Sequence, residues 1–283
     1  MTEKRKLQVL GGSLYLSLPA PWTNKFLLEK GSEVTIRTGE NGELIIFPQS
    51  SKEETEKSAV IHYDSYFFRN LIREYLLGID IIKVKKTKPF TTHDRQTISA
   101  CVSKLLNVEI IEEESTIITM QKLKSDIPLI KMINRMYFLT KTMFDDLIHS
   151  PRNPETMQSI IDRDKLVGKF YLALIMQQRA LLTKEWNPEL SFVEIMDLRL
   201  LIERLELIGD EIKSLALALQ AKQKIKMVDL NFLLERYDDA YQAYFKKDLK
   251  TAQEFWDEES IAKKRLSYHC PLNLLYEVSS SIL

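Results

Sequence analysis

The sequence predicts a multidomain, mainly α protein with a small N-terminal β module at 1–50, an α/β connector at 59–122 and a C-terminal helical bundle at 126–283. Three observations predict it. Apolar and polar residues alternate with period two ahead of Pro48, as they do in half-buried strands. The run Gln49–Ser58 is polar and charged with no apolar period and reads as a linker. Beyond about residue 125, apolar residues recur at three- and four-residue spacing. A chain of 283 residues is long enough for more than one core.

In the N-terminal module, Arg5–Leu10 and Leu14–Leu18 read as strands around Gly11-Gly12, which permits a tight turn. Pro19 lacks an amide for the ladder and ends the second strand. Pro21 starts a short helix through Trp22, Phe26 and Leu27, with Gly31 at its C-terminus. Two more strands, Glu33–Arg37 and Glu43–Phe47, are joined by Gly39-Glu40-Asn41-Gly42, where Asn-Gly favours a hairpin turn.

Arg5-Lys6-Leu7-Gln8, Gly11-Gly12-Ser13, Leu16-Ser17-Leu18-Pro19, Trp22, Lys30-Gly31-Ser32-Glu33-Val34 and the strand closing at Pro48 together resemble the AbrB/MazE/SpoVT domain. The resemblance implies a swapped-hairpin β-barrel made by two interleaved copies, and so a homodimer that binds double-stranded DNA. Chain length agrees, because a lone core below about 50 residues is marginal and pairing two copies enlarges it. Carried over by position, Lys4, Arg5, Lys6 and Lys25 are candidates for phosphate contact, and Ser13 and Tyr15 for polar contact. The alternative is a set of ordinary solvated charges. Ala20 stands where many relatives carry a basic residue, and Glu29, Glu33, Glu40 and Glu43 nearly neutralise the module.

The connector reads as a helix over Ser65–Leu77 stopped by Gly78, a strand over Ile79–Val84, a helix over Asp94–Leu106 and a hairpin of Val108–Ile111 with Thr116–Met120. Arg69, Arg73, Tyr75, Gly78 and Asp80 resemble the segment joining the DNA-binding and helical parts of AbrB-PhoU fusion regulators. Lys83, Lys85, Lys86 and Lys88 are the densest basic cluster in the chain. Such a cluster is either a nucleic-acid contact or a solvated strand end that protects a sheet edge.

In the bundle, Leu129, Met132, Met136, Leu139, Met143 and Leu147 form one apolar seam. A second helix over Pro154–Thr183 places Ile160, Val167, Tyr171, Leu174 and Leu181 on a stripe that also takes in Asp164, and Asn187-Pro188 breaks the chain after it. A third helix over Ser191–Lys222 turns Leu198, Ile202, Leu205, Ile212, Ala216 and Leu219 inward. Helices near Met227–Lys247, Leu249–Tyr268 and Pro271–Leu283 follow. The stretch from Arg199 to Ile212, with Asp248, Ala252 and Glu254, resembles PhoU, the negative regulator of phosphate uptake.

In that family, Glu/Asp-x-x-x-Asp motifs on adjacent helices hold clusters of metal ions, since carboxylates at i and i+4 share a helix face and hard cations take several oxygens. The resemblance therefore marks Glu203, Glu206, Asp210 and Asp164 as candidate ligands for a divalent or ferric ion at a degenerate site. Gly168 stands where the partner motif has its aspartate. Surface charge neutralised by Arg204 and Lys213 is the alternative.

The remaining composition excludes more than it assigns. With 40 basic and 40 acidic residues the net charge is zero, so DNA binding has to come from a local patch. Cys101 and Cys270 are too far apart in sequence for a metal knuckle, and His62, His93, His149 and His269 lack ligand spacing. Neither a nucleophile elbow nor an acid/base pair is recognisable, so the chain is not expected to be an enzyme. Without a signal peptide or a run of about 20 apolar residues, the expected location is the cytoplasm, with no membrane insertion. The expected function is a dimeric transcriptional regulator linked to phosphate uptake. The alternative is an adaptor that does not bind DNA and docks on a phosphate transporter ATPase or a signalling protein.

Overall fold

The computed structural model describes residues 4–38, 42–48, 56–124, 127–183, 190–222, 227–255 and 257. The chain divides into two compact units, Met1–Thr55 and Glu56–Leu283.

The first unit is a small β region. Strands β1 (Gln8–Leu10) and β2 (Ser13–Tyr15) pair antiparallel across Gly11-Gly12. Both glycines have positive φ, 57° and 86°, as a two-residue hairpin turn requires. Helix α1 (Ala20–Lys25) carries Pro21 in its first turn, where a missing amide costs nothing. It is shorter than the sequence suggests. Leu27 takes φ 53° and the Leu28 amide turns back to the Thr23 carbonyl, so Phe26 and Leu27 lie beyond the helix. Gly31, expected at that helix end, belongs to a later turn closed by Ser32 N–H on Glu29 O. Strands β3 (Val34–Thr38) and β4 (Leu44–Pro48) form a second antiparallel hairpin. Its expected turn at Gly39-Glu40-Asn41 lies outside the described residues.

The second unit begins with strand β5 (Ser58–His62), helix α2 (Phe67–Leu76) and strand β6 (Ile81–Lys85). The two strands run parallel, with Ile61 beside Val84 and His62 beside Lys85. The sequence reads Ser58 as the end of a linker, whereas it opens β5, whose parallel partner lies more than 20 residues away, beyond the reach of a local pattern. Helix α3 (Thr92–Val102) starts from a capping box of Thr91 and Asp94 and ends earlier than expected. Strands β7 (Val108–Glu113) and β8 (Ile117–Lys122) complete a sheet of order β5-β6-β8-β7. Ile61, Ile82, Val84, Ile118 and Met120 are buried, as are Leu71 and Tyr75 of α2 and Ile98 and Val102 of α3. Strand β6 is hydrogen-bonded on both sides, so Lys83 and Lys85 do not protect an edge.

The helical bundle follows. Helix α4 (Leu129–His149) buries all six residues of its predicted seam. Helix α5 (Pro154–Thr183) has the predicted bounds, and α6 (Phe192–Gln220) opens on a Ser191/Glu194 capping box. These three helices pack on one another, and α2 packs on α5. An added Cβ at Gly209 of α6 would lie 3.2 Å from Val167 and 3.5 Å from Thr140, so the missing side chain lets α6 approach both α5 and α4. Helix α7 (Met227–Lys246) packs on α4. The Tyr137 ring stacks on Tyr241 at 3.6 Å, and the Tyr137 hydroxyl donates to Asp238, which also pairs with Lys141 at 2.8 Å. After a break at Lys247 and Asp248 a further helical stretch covers 249–255, whereas the end of that predicted helix and the one at Pro271–Leu283 lie outside the described residues.

Candidate functional site

The N-terminal candidates all sit on the exposed surface of the first unit. Lys4, Arg5 and Lys6 lead into β1, and the Arg5 guanidinium donates to the Ser17 hydroxyl at 3.2 Å, which ties this basic run to the end of the hairpin. In register, Gln8 lies opposite Tyr15 and Leu10 opposite Ser13, which puts Ser13 and Tyr15 on one face of the hairpin. Lys25 closes α1, with its ammonium 5.2 Å from the Phe26 ring centroid.

The opposite face of the hairpin is apolar. Val9 and Leu14 are register partners, and they are 73% and 68% exposed. On the second hairpin, Ile36 and Leu44 are similarly uncovered. None of the described side chains of this unit is buried, so by itself it has strands and turns but no core. Burying such surface is the main favourable term in folding, at about 25 cal/mol per Å².

The carboxylates of the bundle meet on facing turns of α5 and α6. Asp164 comes from α5, while Glu203, Glu206 and Asp210 follow one another along α6. Between them stands a cation that the sequence offered only as one of two neutralisers. Lys213 Nζ lies 2.7 Å from Asp164 Oδ2 and 2.6 Å from Asp210 Oδ1. Burial opposes charge on Lys213, but the two carboxylates more than offset it, so the ammonium holds its proton above the ordinary lysine range. Arg204 makes no ion pair among the described residues. Glu203 is drawn away to Arg199, 3.8 Å off, whose guanidinium also lies over the Tyr171 ring.

Glu206 has no ion-pair partner among the described residues. Burial, then the Asp210 and Asp164 charges, push its pKa up, and Lys213 only partly relieves this. Because the folded pKa lies above the unfolded one, Glu206 favours folding only while protonated, and that contribution is lost as pH rises through the folded value. Glu206→Gln is therefore expected to raise stability at pH 7, by up to about 1 kcal/mol after solvent screening, with the gain fading near pH 4. Urea unfolding at the two pH values measures it. A loss at pH 7 would show that the Glu206 carboxylate has a favourable partner.

The donor set does not suit a metal ion as it stands. The ammonium of Lys213 already takes an oxygen from each aspartate, and Gly168 has no side chain to supply a further oxygen. Hard cations need six or more oxygens. Among the described residues no group of three or more His, Cys, Asp or Glu is placed to hold a metal.

Comparison with known families agrees with both resemblances. Residues 7–54 match the family described as antidote-toxin recognition MazE, bacterial antitoxin, and residues 133–219 match the PhoU domain. The chain thus carries a MazE/AbrB-type domain followed by a PhoU domain, the latter spanning most of α4–α6 and stopping short of α7. No curated protein and no solved structure matches the chain. Among the described residues no helix is long and apolar enough to cross a membrane.

Proposed function

We propose that this chain is a dimeric DNA-binding regulator linked to phosphate uptake, with the MazE/AbrB-type unit as its contact with DNA and the PhoU-type bundle as the part that senses or relays. Both matched families are regulatory rather than catalytic. One observation carries the proposal: the N-terminal unit presents an apolar hairpin face with no core beneath it. A second copy, with its strands interleaved into a shared barrel, would cover Val9, Leu14, Ile36 and Leu44. It would also double the cations of Lys4, Arg5 and Lys6, and phosphate neutralisation by lysine and arginine supplies most non-specific affinity for DNA. Ser13 and Tyr15 would then supply polar contacts from the hairpin face opposite the apolar one.

In the bundle, Lys213 serves in place of a metal ion, holding α5 to α6 through Asp164 and Asp210. Signalling would then come from helix packing without a bound ion.

Ala20 and the exposed Glu29, Glu33 and Glu43 weaken the local positive field and favour a second function, that of an adaptor which dimerises without touching DNA and docks on a transporter ATPase or signalling protein. Binding of a DNA duplex by the full chain, followed against salt concentration, tests the proposal and separates the two. The adaptor predicts no salt-dependent binding.

A further inference from the structure

The carboxyl ends of the parallel strands β5 and β6 open into a pocket of about 340 Å³ lined by His62, Tyr63, Lys85, Lys86, Thr87 and Lys88. Nothing in the DNA-binding unit or in the carboxylate cluster uses it. Open α/β sheets bind ligands outside the carboxyl ends of their parallel strands, and β5 and β6 are the parallel pair of this sheet. The volume lies at the small end of the range for small-molecule sites.

Lys83 and Lys85 share one face of β6, and His62 is the register partner of Lys85 on β5. An interior strand gives these lysines no edge to protect. None of the six lining residues is acidic. Asp94 is the carboxylate that reaches the lining. It pairs with Lys86, whose ammonium is also 5.1 Å from the Tyr63 ring centroid. Lys86 is thereby fixed, while Lys85 and Lys88 make no ion pair among the described residues.

We propose that this pocket binds a small phosphate-bearing anion, with Lys85 and Lys88 supplying charge, Lys86 a positioned ammonium and Thr87 a hydroxyl. Lysine binds phosphate as a point charge without demanding planar geometry. Convergence of the cations on one concavity favours a compact ligand over a duplex, whose phosphates are strung along the helix. The Tyr63 ring adds an apolar wall against which the organic part of a phosphate ester can rest. The site lies in the connector, so it stands or falls independently of DNA binding by the N-terminal unit.

Calorimetric titration of the full chain at about 50 mM salt, where screening is weak, tests the site with inorganic phosphate and adenosine monophosphate as probes. At least one is expected to bind with Kd below about 1 mM. The Lys85→Gln/Lys88→Gln double variant should bind it roughly tenfold or more weakly, while Lys83→Gln, outside the lining, should stay within about twofold. Tighter binding of the nucleotide would assign an ester as ligand, and equal or tighter binding of phosphate would assign the free ion. No binding of either probe by the wild-type chain at millimolar concentration overturns the proposal, as does unchanged binding by the double variant. It also fails if only duplex DNA binding depends on these two lysines.

Discussion

Lys213→Met is expected to destabilise the Glu56–Leu283 unit by about 2 kcal/mol at neutral pH, between the small worth of surface ion pairs and the larger cost of stranding buried charge. The methionine keeps most of the stem and removes the ammonium from between Asp164 and Asp210, which lie 2.7 Å and 2.6 Å from it. Those carboxylates and Glu206 would then repel one another with no cation among them. The pKa of Glu206, already raised by burial and by those charges, would be pushed up further, so the loss should shrink as pH falls and the Glu206 carboxylate takes up a proton. Urea unfolding at pH 7 and pH 4 reads both effects. Millimolar magnesium or manganese should restore part of the lost stability in the variant and leave the wild type unchanged, because hard cations seek carboxylate oxygens once the ammonium is gone. Equal stabilisation of the wild type by metal would show that Lys213 does not occupy the metal's place.

If the N-terminal unit pairs and binds DNA as proposed, Leu14→Asp is expected to separate the pair and to weaken DNA binding with it. In a lone unit the residue is 68% exposed, so an aspartate there would strand no buried charge. In an interleaved pair the same carboxylate would be buried without a partner, which is prohibitive. Sedimentation should show the mass falling from two chains to one. Duplex affinity should fall by more than about 100-fold as half the phosphate contacts are lost. A variant that remains dimeric would place the dimer contact elsewhere.

Much of the architecture was legible because it is local. The Gly11-Gly12 turn, the seam from Leu129 to Leu147 and the bounds of α5 each follow from a periodicity or a breaker within one segment. The capped start of α6 at Ser191 is equally local, a serine followed three residues later by Glu194. What escaped was long-range. Strand β5 pairs with β6 across α2, and Ser58–His62 offers only a short alternation after a charged run. Edge protection by Lys83 and Lys85 stays open in the sequence because nothing local says that β6 is interior.

The candidate site divides in the same way. The i, i+4 spacing of Glu206 and Asp210 and the i, i+3 spacing of Asp210 and Lys213 were readable on one helix. That Lys213 also reaches Asp164, 49 residues earlier, depends on how α5 lies against α6 and has no local signature. Nor could alternation alone reveal that the apolar faces of the first unit stay uncovered by that unit, since it reads the same whether the cover comes from the same copy or another.

The proposed grip of the N-terminal unit on DNA as a dimer is tested most directly by the salt dependence of duplex binding by the full chain. If Lys4, Arg5 and Lys6 of both copies neutralise phosphates, fluorescence anisotropy should give a log–log slope of affinity against salt near about −5. A slope near zero, or no binding at low salt, would contradict the account and leave the adaptor in its place.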